Sequence, residues 1–294
     1  MVYLNDKFLD TKVVKTLSEH AKVYKIQNDM VLECDIVVYC NTYFDYDKIS
    51  KIIKAKKSIS WIHSKPYELE GSLLLDNTFK EKMNKFVCVS DTVKNEIVGI
   101  DESKKEVIHN LINEDIMELS KKFDPCYDSN KVNFIVVSRL SKGKGFERLL
   151  KFDEALHKSG IDYKITVIGN GRGTQDKILN MFRDRTNVDF IGPKCNPYPY
   201  MLGADYLVQL SDYETWCNVI TEAKILGTPC IITDFPAAKE QIQNGENGLI
   251  IDLNQDDYSK HINDIISKKH YFREKMNVFK YDQEIEKWYN LLNS

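Results

Sequence analysis

The sequence predicts an α/β protein built from two Rossmann-like domains, and three observations support this prediction. Short β-branched runs alternate with amphipathic helical patterns along the chain, as expected for βα units around parallel sheets. The length of 294 residues suits two ordinary domains or one large α/β domain. A composition that is 43% hydrophobic and 29% charged is typical of a globular protein with a sizeable core. We expect an N-terminal domain over residues 1–128, a C-terminal domain over 129–275 and a C-terminal helix over 276–294.

The first half of the chain contains five candidate strands and four candidate helices. The strands are AKVYKI, CDIVVYC, SISWIH, KFVCVS and EVIHN. The helices are TKVVKTLSEH, YDKISKIIKAKK, SDTVKNEIVGI and NEDIMELSKKF. The third helix opens with Ser90, a residue type that is favoured at N-caps. The polar stretch DPCYDSNK, which contains Pro125, is predicted as a linker between the two domains.

A more regular alternation of strands and helices follows in the second half. The strands are VNFIVVSRL, YKITVIGNGRG, NVDFIG, ADYLVQLS, PCIITD and NGLIID. The helices are FERLLKFDEALHKSG, TQDKILNMFRD, NVITEAKILG and AAKEQIQNG, and further helices close the chain. Gly160, Gly227 and Gly245 each follow a helical run, where a left-handed C-cap favours glycine.

Charge, hydropathy and cysteine usage exclude several classes of protein. The formal net charge of -3 and the pI near 6.1 give no signal for nucleic-acid binding. The first residues, MVYLNDKFLD, lack the apolar core of a signal peptide, and the longest apolar runs are only strand-sized. Seven scattered cysteines without a C-x-x-C pair indicate reduced thiols in a cytoplasmic protein. The six histidines form no metal-binding pattern, so we expect no metal and no cofactor.

Two loops that follow strands in the second half are candidates for phosphate binding. Residues 138–145, SRLSKGKG, place Arg139 and Lys144 five positions apart on a glycine-containing loop. Fixed positive charge together with backbone N–H groups suits a diphosphate, although a solvated basic turn has the same composition. Residues 168–173, IGNGRG, form a second such loop, in which glycine either admits a ligand or makes a tight βα turn. Neither loop has the spacing of a Walker motif or of the full dinucleotide fingerprint.

A third candidate is ETWCNVITEA, residues 214–223, which has a glutamate on each side of a short apolar run. Pattern predicts a helix from Asn218, with Glu214 in the preceding loop and Glu222 in the early turns. Carboxylates in these positions suit hydroxyl groups, such as those of a sugar and a ribose. The alternative is one glutamate favoured by the helix dipole and one that faces solvent. A glycosidase acid/base pair is excluded, because eight residues at helical rise span about 12 Å, beyond the roughly 5–9.5 Å that such pairs use.

Together these segments resemble the family 4 retaining glycosyltransferases of GT-B fold. The resemblance covers about residues 132–270 and rests on VVSRLSKGKGF, VIGNG, FIG, ADYLVQLSDYE, ETWCNVITEA and GTPCIITD, in this order. In the first half it is limited to SISWIHS, FVCVS and VIHNLIN, and the glycine-rich loop typical of the first domain is missing. The resemblance implies two domains that face each other across a cleft, with the C-terminal helix packing back on the first. It also implies a retaining, metal-independent hexosyltransferase that uses a nucleotide sugar in surface polysaccharide or glycoconjugate synthesis.

The resemblance assigns a role to each matching position. Arg139 and Lys144 are expected to bind the donor diphosphate and stabilise it as it leaves. Glu222 is expected to bind the ribose hydroxyls and Glu214 the transferred sugar. His63 is expected to face that sugar from the first domain, although a histidine that ends a buried strand can also be a satisfied core residue. Further donor contacts are expected from Gly169, Asn170, Gly171, Gly192, Thr215, Trp216, Cys217, Asn218 and Val219.

Residues 48–58, KISKIIKAKKS, combine three isoleucines with five lysines, which predicts a basic amphipathic helix. Such a helix either covers a sheet, which we favour, or lies on a membrane surface. Peripheral contact with the inner face of the membrane would suit a lipid-linked acceptor. Asp45 and Asp47 spell D-x-D, but at a predicted helix start we interpret them as capping residues and not as metal ligands.

Two further alternatives to a transferase are left open by the sequence, beside a membrane-surface binding protein suggested by residues 48–58. The first is a non-catalytic relative that serves as a partner subunit; against it, Arg139, Lys144, Glu214 and Glu222 are all present. The second is a sugar-nucleotide epimerase of the same fold, for which no converging acid/base set is visible. For the donor we favour a UDP-sugar over a GDP-sugar, and for the acceptor a glycan or lipid-linked saccharide. The short first domain leaves room for a protein partner.

Overall fold

The computed structural model describes residues 2–4, 23–25, 31–40, 50–64, 77–112, 115–171, 173–276 and 281–294. The chain divides into two compact units, Met1–Val87 with Gly99–Glu106, and Cys88–Val98 with Val107–Ser294. The second unit therefore includes two segments from the range assigned above to the N-terminal domain. The domain boundaries at residues 128 and 275 remain predictions.

Parallel pairing organises the strands of the first half of the chain. Strand β1 (Val2–Leu4) pairs in parallel with β2 (Val23–Lys25). Four further strands are β3 (Leu32–Cys40), β4 (Ile53–Ile62), β5 (Lys85–Cys88) and β6 (Lys105–Val107). They form a sheet in the order β3-β4-β5-β6, in which β3 and β4 are parallel. Helix α1 (Asn77–Lys82) and β1 were not predicted, because such short runs show too few positions to reveal a period.

The helix predicted at residues 46–57 is wrong over its second half. Only residues 50–52 are helical in the described part, and β4 begins at Ile53. The isoleucine spacing fits a helix locally, but β4 pairs with β3 along nearly its whole length, and this non-local pairing overrides the local period. Lys56 forms an ion pair with Asp35 of β3 at 2.9 Å, and Lys54 and Lys56 are exposed on β4. Residues 41–49, with the D-x-D sequence, lie outside the described residues.

The second unit is a doubly wound parallel sheet, as predicted. Its strands are β7 (Val132–Val137), β8 (Tyr163–Ile168), β9 (Val188–Phe190), β10 (Tyr206–Gln209), β11 (Cys230–Thr233) and β12 (Gly248–Ile251). Their order is β9-β8-β7-β10-β11-β12, and every neighbouring pair is parallel. This is the Rossmann order, with the strand sequence reversing between β7 and β10.

The helices of the second unit largely follow the predicted pattern. They are α2 (Asp91–Glu96), α3 (Ile116–Ser120), α4 (Phe146–Ser159), α5 (Gln175–Met181), α6 (Tyr198–Gly203), α7 (Asn218–Ile225), α8 (Ala238–Gln241), α9 (Ser259–Ser267), α10 (Lys269–Glu274) and α11 (Tyr281–Asn293). Ser90 caps α2, its hydroxyl accepting from the Val93 N–H at 3.1 Å, as predicted. Gly160 and Gly227 have the positive φ expected past helix ends, whereas α8 ends at Gln241 and Gly245, at φ 81°, lies in the turn before β12 and not at a helix C-cap. Helix α6, in a proline-rich stretch, was not predicted.

Core residues cover both faces of the six-stranded sheet. Phe134 and Val136 of β7 belong to one apolar cluster together with Phe152 of α4. Ile135, between them, belongs to a second cluster together with Ile220 of α7. Helices α4 and α7 therefore cover opposite faces. Because both faces are buried, these strands read as continuous apolar runs in the sequence.

The C-terminal helix α11 is part of the second compact unit. The Oε2 atom of its Glu284 accepts a hydrogen bond from the backbone N–H of His109 at 2.8 Å. His109 falls within the range predicted for the first domain, although packing groups it with the second unit.

Helix length and cysteine chemistry complete the description of the fold. No helix in the described part of the chain is long and apolar enough to cross a bilayer. All seven cysteines are free thiols, as predicted, and Cys88, Cys217 and Cys230 are buried.

Candidate functional site

Two loops of the second unit meet at the point where its strand order reverses. The loop over residues 138–145 follows β7, and the loop over residues 210–217 follows β10, its neighbour in the sheet. The first loop leads to α4 and the second to α7, which cover opposite faces. In open α/β sheets a crevice forms outside the carboxyl ends of two such strands, and ligands bind there.

The structure brings Lys144 and Glu214 together at this switch point. Lys144 Nζ lies 2.7 Å from Glu214 Oε1, and only 19% and 14% of the two side chains are exposed. The same Oε1 atom accepts from Ser211 Oγ at 2.8 Å and from Gln209 Nε2 at 3.2 Å. Among the described residues no donor reaches Glu214 Oε2. The pair thus combines a held cation with a carboxylate that has one unused oxygen.

Backbone contacts lock the two loops against each other. Gly145, at φ 73°, packs so closely on the second loop that a Cβ atom there would lie 1.7 Å from the Leu210 carbonyl oxygen. The Asp212 N–H donates to the Gly143 carbonyl at 2.9 Å. Arg148 Nη1 donates to the Leu210 carbonyl at 3.1 Å and to Asp212 Oδ1 at 2.6 Å. The glycines of KGKG are therefore needed where the two loops touch, a requirement that the sequence did not reveal.

Arg139 is not in contact with the Lys144–Glu214 pair. Its side chain is exposed, and its guanidinium has no hydrogen-bond partner within the described ranges. Its carbonyl accepts from the Ser141 N–H at 2.9 Å, which tightens the start of the loop. A role for Arg139 towards a diphosphate therefore stays a prediction.

Close backbone packing also accounts for the glycines of the IGNG loop. A Cβ atom at Gly169 would lie 1.8 Å from the Ser138 carbonyl oxygen, and one at Gly171 would lie 2.0 Å from that of Leu140. The Gly169 N–H donates to the Gly192 carbonyl at 3.2 Å. Glycine is thus required by the neighbouring protein backbone, and contact of Gly169, Asn170, Gly171 and Gly192 with a nucleobase stays a prediction. Arg172 lies outside the described residues.

Helix α7 begins at Asn218, as predicted, and leaves donors available at its start. Its N-cap, Cys217, makes no side-chain capping bond, and the N–H groups of Asn218 and Val219 have no acceptor within the described part of the chain. Free N–H groups at a helix start favour an anion. Burial raises the pKa of the Cys217 thiol, which therefore stays protonated near neutral pH and contributes through its backbone.

Three residues that the sequence analysis did not assign hold this helix start in place. Gln241 of α8 accepts from the Cys217 N–H at 3.1 Å and donates to the Cys217 carbonyl at 3.0 Å. The ring of His109 stacks on Trp216 at 3.9 Å, and Asn110 Nδ2 donates to Asn218 Oδ1 at 2.8 Å. His109 and Asn110 belong to the segment VIHNLIN, which carries part of the family resemblance. No sequence pattern distinguishes Gln241.

Glu222 occupies a separate, partly buried position on α7. Burial raises the pKa of its carboxyl to about 7, and a hydrogen bond from the Tyr198 hydroxyl at 3.5 Å opposes that rise. A carboxyl with this pKa changes its charge near neutral pH. Its capacity to accept hydrogen bonds from hydroxyl groups therefore changes over the same range.

We expect the raised pKa of Glu222 to lower stability as pH rises. The folded state holds a proton that the unfolded state releases near the ordinary value of 4.5, so the contribution is lost between about pH 4.5 and 7. Relative to Glu222→Gln, the wild type should lose on the order of 3 kcal/mol of unfolding free energy across this window. Urea unfolding of both proteins at several pH values tests this. Glu118→Gln, at an exposed position on α3, is the matched substitution. Parallel curves for Glu222→Gln and wild type would contradict the prediction.

His63 lies in the first compact unit, directly after β4. Its ring packs against Trp61, with the ring centroids 4.2 Å apart. This contact is compatible with a packed histidine, and the role of His63 towards a sugar stays a prediction.

A groove of about 530 Å³ lies at the ends of β11 and β12, away from the loops described above. It is lined by Asp234, Lys239, Ile242, Gln243, Asn244, Ile250 and Asp252. Its lysine is already paired with Asp234 at 3.1 Å, so the groove presents no further cation to an anionic ligand. Lys144 and the uncapped start of α7 lie at the switch point instead.

Comparisons with known proteins place this geometry in context. The model of the family described as glycosyl transferases group 1 matches residues 120–283. Over 205 residues the chain is 23% identical to an N-acetylgalactosamine-N,N'-diacetylbacillosaminyl-diphospho-undecaprenol 4-alpha-N-acetylgalactosaminyltransferase of Campylobacter jejuni, covering 63% of this chain and 54% of that relative. The chain spans about half the length of the curated relatives it matches.

Solved structures share the fold. A glycosyltransferase from Rickettsia africae superposes with a TM-score of 0.77 at 17% identity, over 97% of this chain and 88% of that one. Alr3699/HepE of Anabaena, in complex with UDP and glucose, superposes with a TM-score of 0.73 at 18% identity, over 95% of this chain and 89% of that one. Identities this low establish the fold alone, which is the GT-B fold of two Rossmann-like domains.

Proposed function

The chain belongs to the family of glycosyl transferases group 1, and on that premise we propose that it moves a sugar from a nucleotide-sugar donor to an acceptor hydroxyl. The observation that carries the proposal is the Lys144–Glu214 pair, held at the switch point in the loop that leads to α7, where the N–H groups of Asn218 and Val219 have no acceptor among the described residues. More finely, we propose a family 4 hexosyltransferase that retains the anomeric configuration and requires no metal.

Electrostatics support transfer at this position. Breaking the bond between the sugar and the diphosphate develops positive charge on the sugar and further negative charge on the leaving group. Lys144, Arg139 and the start of α7 supply fixed positive charge for that diphosphate, which is the role a metal ion has in other enzymes. The acceptor attacks on the same face, in an ion-pair-like transition state. Glu214 accepts from sugar hydroxyls through Oε2, and Glu222 accepts from the ribose.

The proposed donor is a UDP-sugar and the proposed acceptor is a glycan or lipid-linked saccharide. UDP is favoured over GDP, and a neighbour of the same fold was solved with UDP and glucose. A lipid-linked or glycan acceptor is favoured because the Campylobacter relative is named for transfer onto a diphospho-undecaprenol saccharide. Such an acceptor suits a cytoplasmic enzyme in peripheral contact with the membrane. The remaining donor contacts are proposed for His63, the IGNG loop and the backbone of 215–219.

A donor panel tests the proposed function. We expect UDP-sugars, and not GDP- or ADP-sugars, to raise the melting temperature by several degrees at about 100 times Kd. The matching sugar should be released slowly by hydrolysis, at the same rate with EDTA as with Mg²⁺. Dependence on Mg²⁺ would contradict the metal-independent mechanism. If no nucleotide sugar bound, the enzyme proposal would fall, and a non-catalytic partner subunit would become the better interpretation.

A further inference from the structure

A buried polar network surrounds the carboxylate of Glu214. Gln209, at the end of β10, is 3% exposed, and Ser211 is fully buried. Gln209 Nε2 donates to Ser211 Oγ at 2.6 Å and to Glu214 Oε1 at 3.2 Å, while Ser211 Oγ donates to the same Oε1 at 2.8 Å. The backbone of Ser211 is fixed in turn, since its carbonyl accepts from the Thr233 hydroxyl at 2.6 Å.

This network costs folding free energy at a core position. Gln209 Oε1 is buried and has no hydrogen-bond partner among the described residues. A buried polar atom without a partner costs folding free energy, and an apolar side chain of the same shape would avoid that cost. The side chain therefore serves something other than stability. Its amide group donates both to Ser211 and to Glu214, and so supplies Glu214 with a second neutral donor.

The network also decides which oxygen of Glu214 is available to a substrate. All three donors converge on Oε1, and none of the described residues reaches Oε2. One of these donors is Lys144, which the proposed function assigns to the diphosphate. When Lys144 binds the diphosphate, Ser211 and Gln209 are the donors that keep the Glu214 carboxylate in its orientation.

We propose that Gln209 and Ser211 are positioning residues that hold Glu214 by Oε1 so that Oε2 faces a hydroxyl of the transferred sugar. This inference rests on the proposed function and deepens it, since it concerns recognition of the sugar and not of the nucleotide. The proposed function assigns neither residue to the diphosphate, so their loss should affect the sugar-dependent step and leave UDP binding unchanged.

The test compares Gln209→Met and Ser211→Ala with wild type. The probes are UDP and the UDP-sugar that wild type hydrolyses fastest. We expect about a tenfold loss in kcat/KM for sugar release, as for loss of one hydrogen bond to a charged group, with the Kd of UDP within about twofold. Ser211→Thr, which keeps the hydroxyl, should restore activity. Thr228→Val removes a comparable buried hydroxyl-to-carbonyl bond, to Met201 at 2.8 Å, and should keep full activity.

A double-mutant cycle separates positioning from a general loss of structure. In a Glu214→Gln background, adding Gln209→Met should change kcat/KM by less than about twofold, because the residue acts through Glu214. A full tenfold loss in that background would overturn the proposal, and so would normal activity of both single variants. If wild type releases no sugar from any donor, the proposed function fails and this inference fails with it. An active wild type with unaffected variants refutes only the positioning role.

Discussion

Lys144→Ala is expected to lower the rate of sugar release by about 10²–10³-fold, the usual effect of removing one preorganised group that stabilises developing charge. Lys144 is a cation that the structure holds at the switch point, with Nζ 2.7 Å from Glu214 Oε1. In the proposed function Lys144 stabilises the leaving diphosphate, so kcat should fall more than donor affinity. Single-turnover hydrolysis of the donor measures this directly.

The matched control for this prediction is Lys142→Ala. Lys142 lies on the same loop, two residues earlier, and is exposed, so the variant loses the same formal charge from the same loop. Its sugar-release rate should stay within about twofold of wild type, because exposed charges contribute little. Removing Lys144 also leaves the Glu214 carboxylate without its cation, and thermal unfolding must show that the variant is folded at the assay temperature. Equal rates for both variants would contradict the assigned role of Lys144.

Gly145→Ala is expected to destabilise the second unit more than any other substitution of one of its glycines by alanine. The new Cβ would lie 1.7 Å from the Leu210 carbonyl oxygen, at a φ of 73° that already disfavours alanine. Relief requires the loops after β7 and β10 to separate, which breaks the contact that brings Lys144 to Glu214. We expect a loss of more than about 3 kcal/mol in unfolding free energy, together with the loss of UDP binding.

Gly160→Ala isolates the steric part of that effect. Gly160 also has φ 73°, but a Cβ atom there would meet nothing within 4 Å, so only the backbone strain of about 1–2 kcal/mol applies. Urea unfolding of both variants gives the comparison, and UDP binding should survive in Gly160→Ala. If the two variants lost the same stability, the close approach of the loops would not be the constraint that we infer.

How far the sequence predicted the candidate site differs from residue to residue. The start of α7 at Asn218, and with it the placement of Glu214 before the helix and Glu222 within it, was predicted from local pattern and is confirmed. Gln209, Ser211 and Gln241 were not predicted as parts of the site. They act by facing other elements, and nothing in a buried glutamine or serine reveals which group its side chain will reach.

Local pattern determined most of the elements, because the burial period and the end signals of a helix or strand are carried by neighbouring residues. The alternation over the second half therefore sufficed for a doubly wound sheet, and Gly160 and Ser90 marked helix ends that the structure has. Tertiary structure alone decided what depends on residues far apart in the chain. It extended β4 through a predicted helix by pairing it with β3, and it set Gly145 against Leu210. It joined Lys144 to Glu214, because the contacts that fix a carboxylate are made between loops that only the folded sheet brings together.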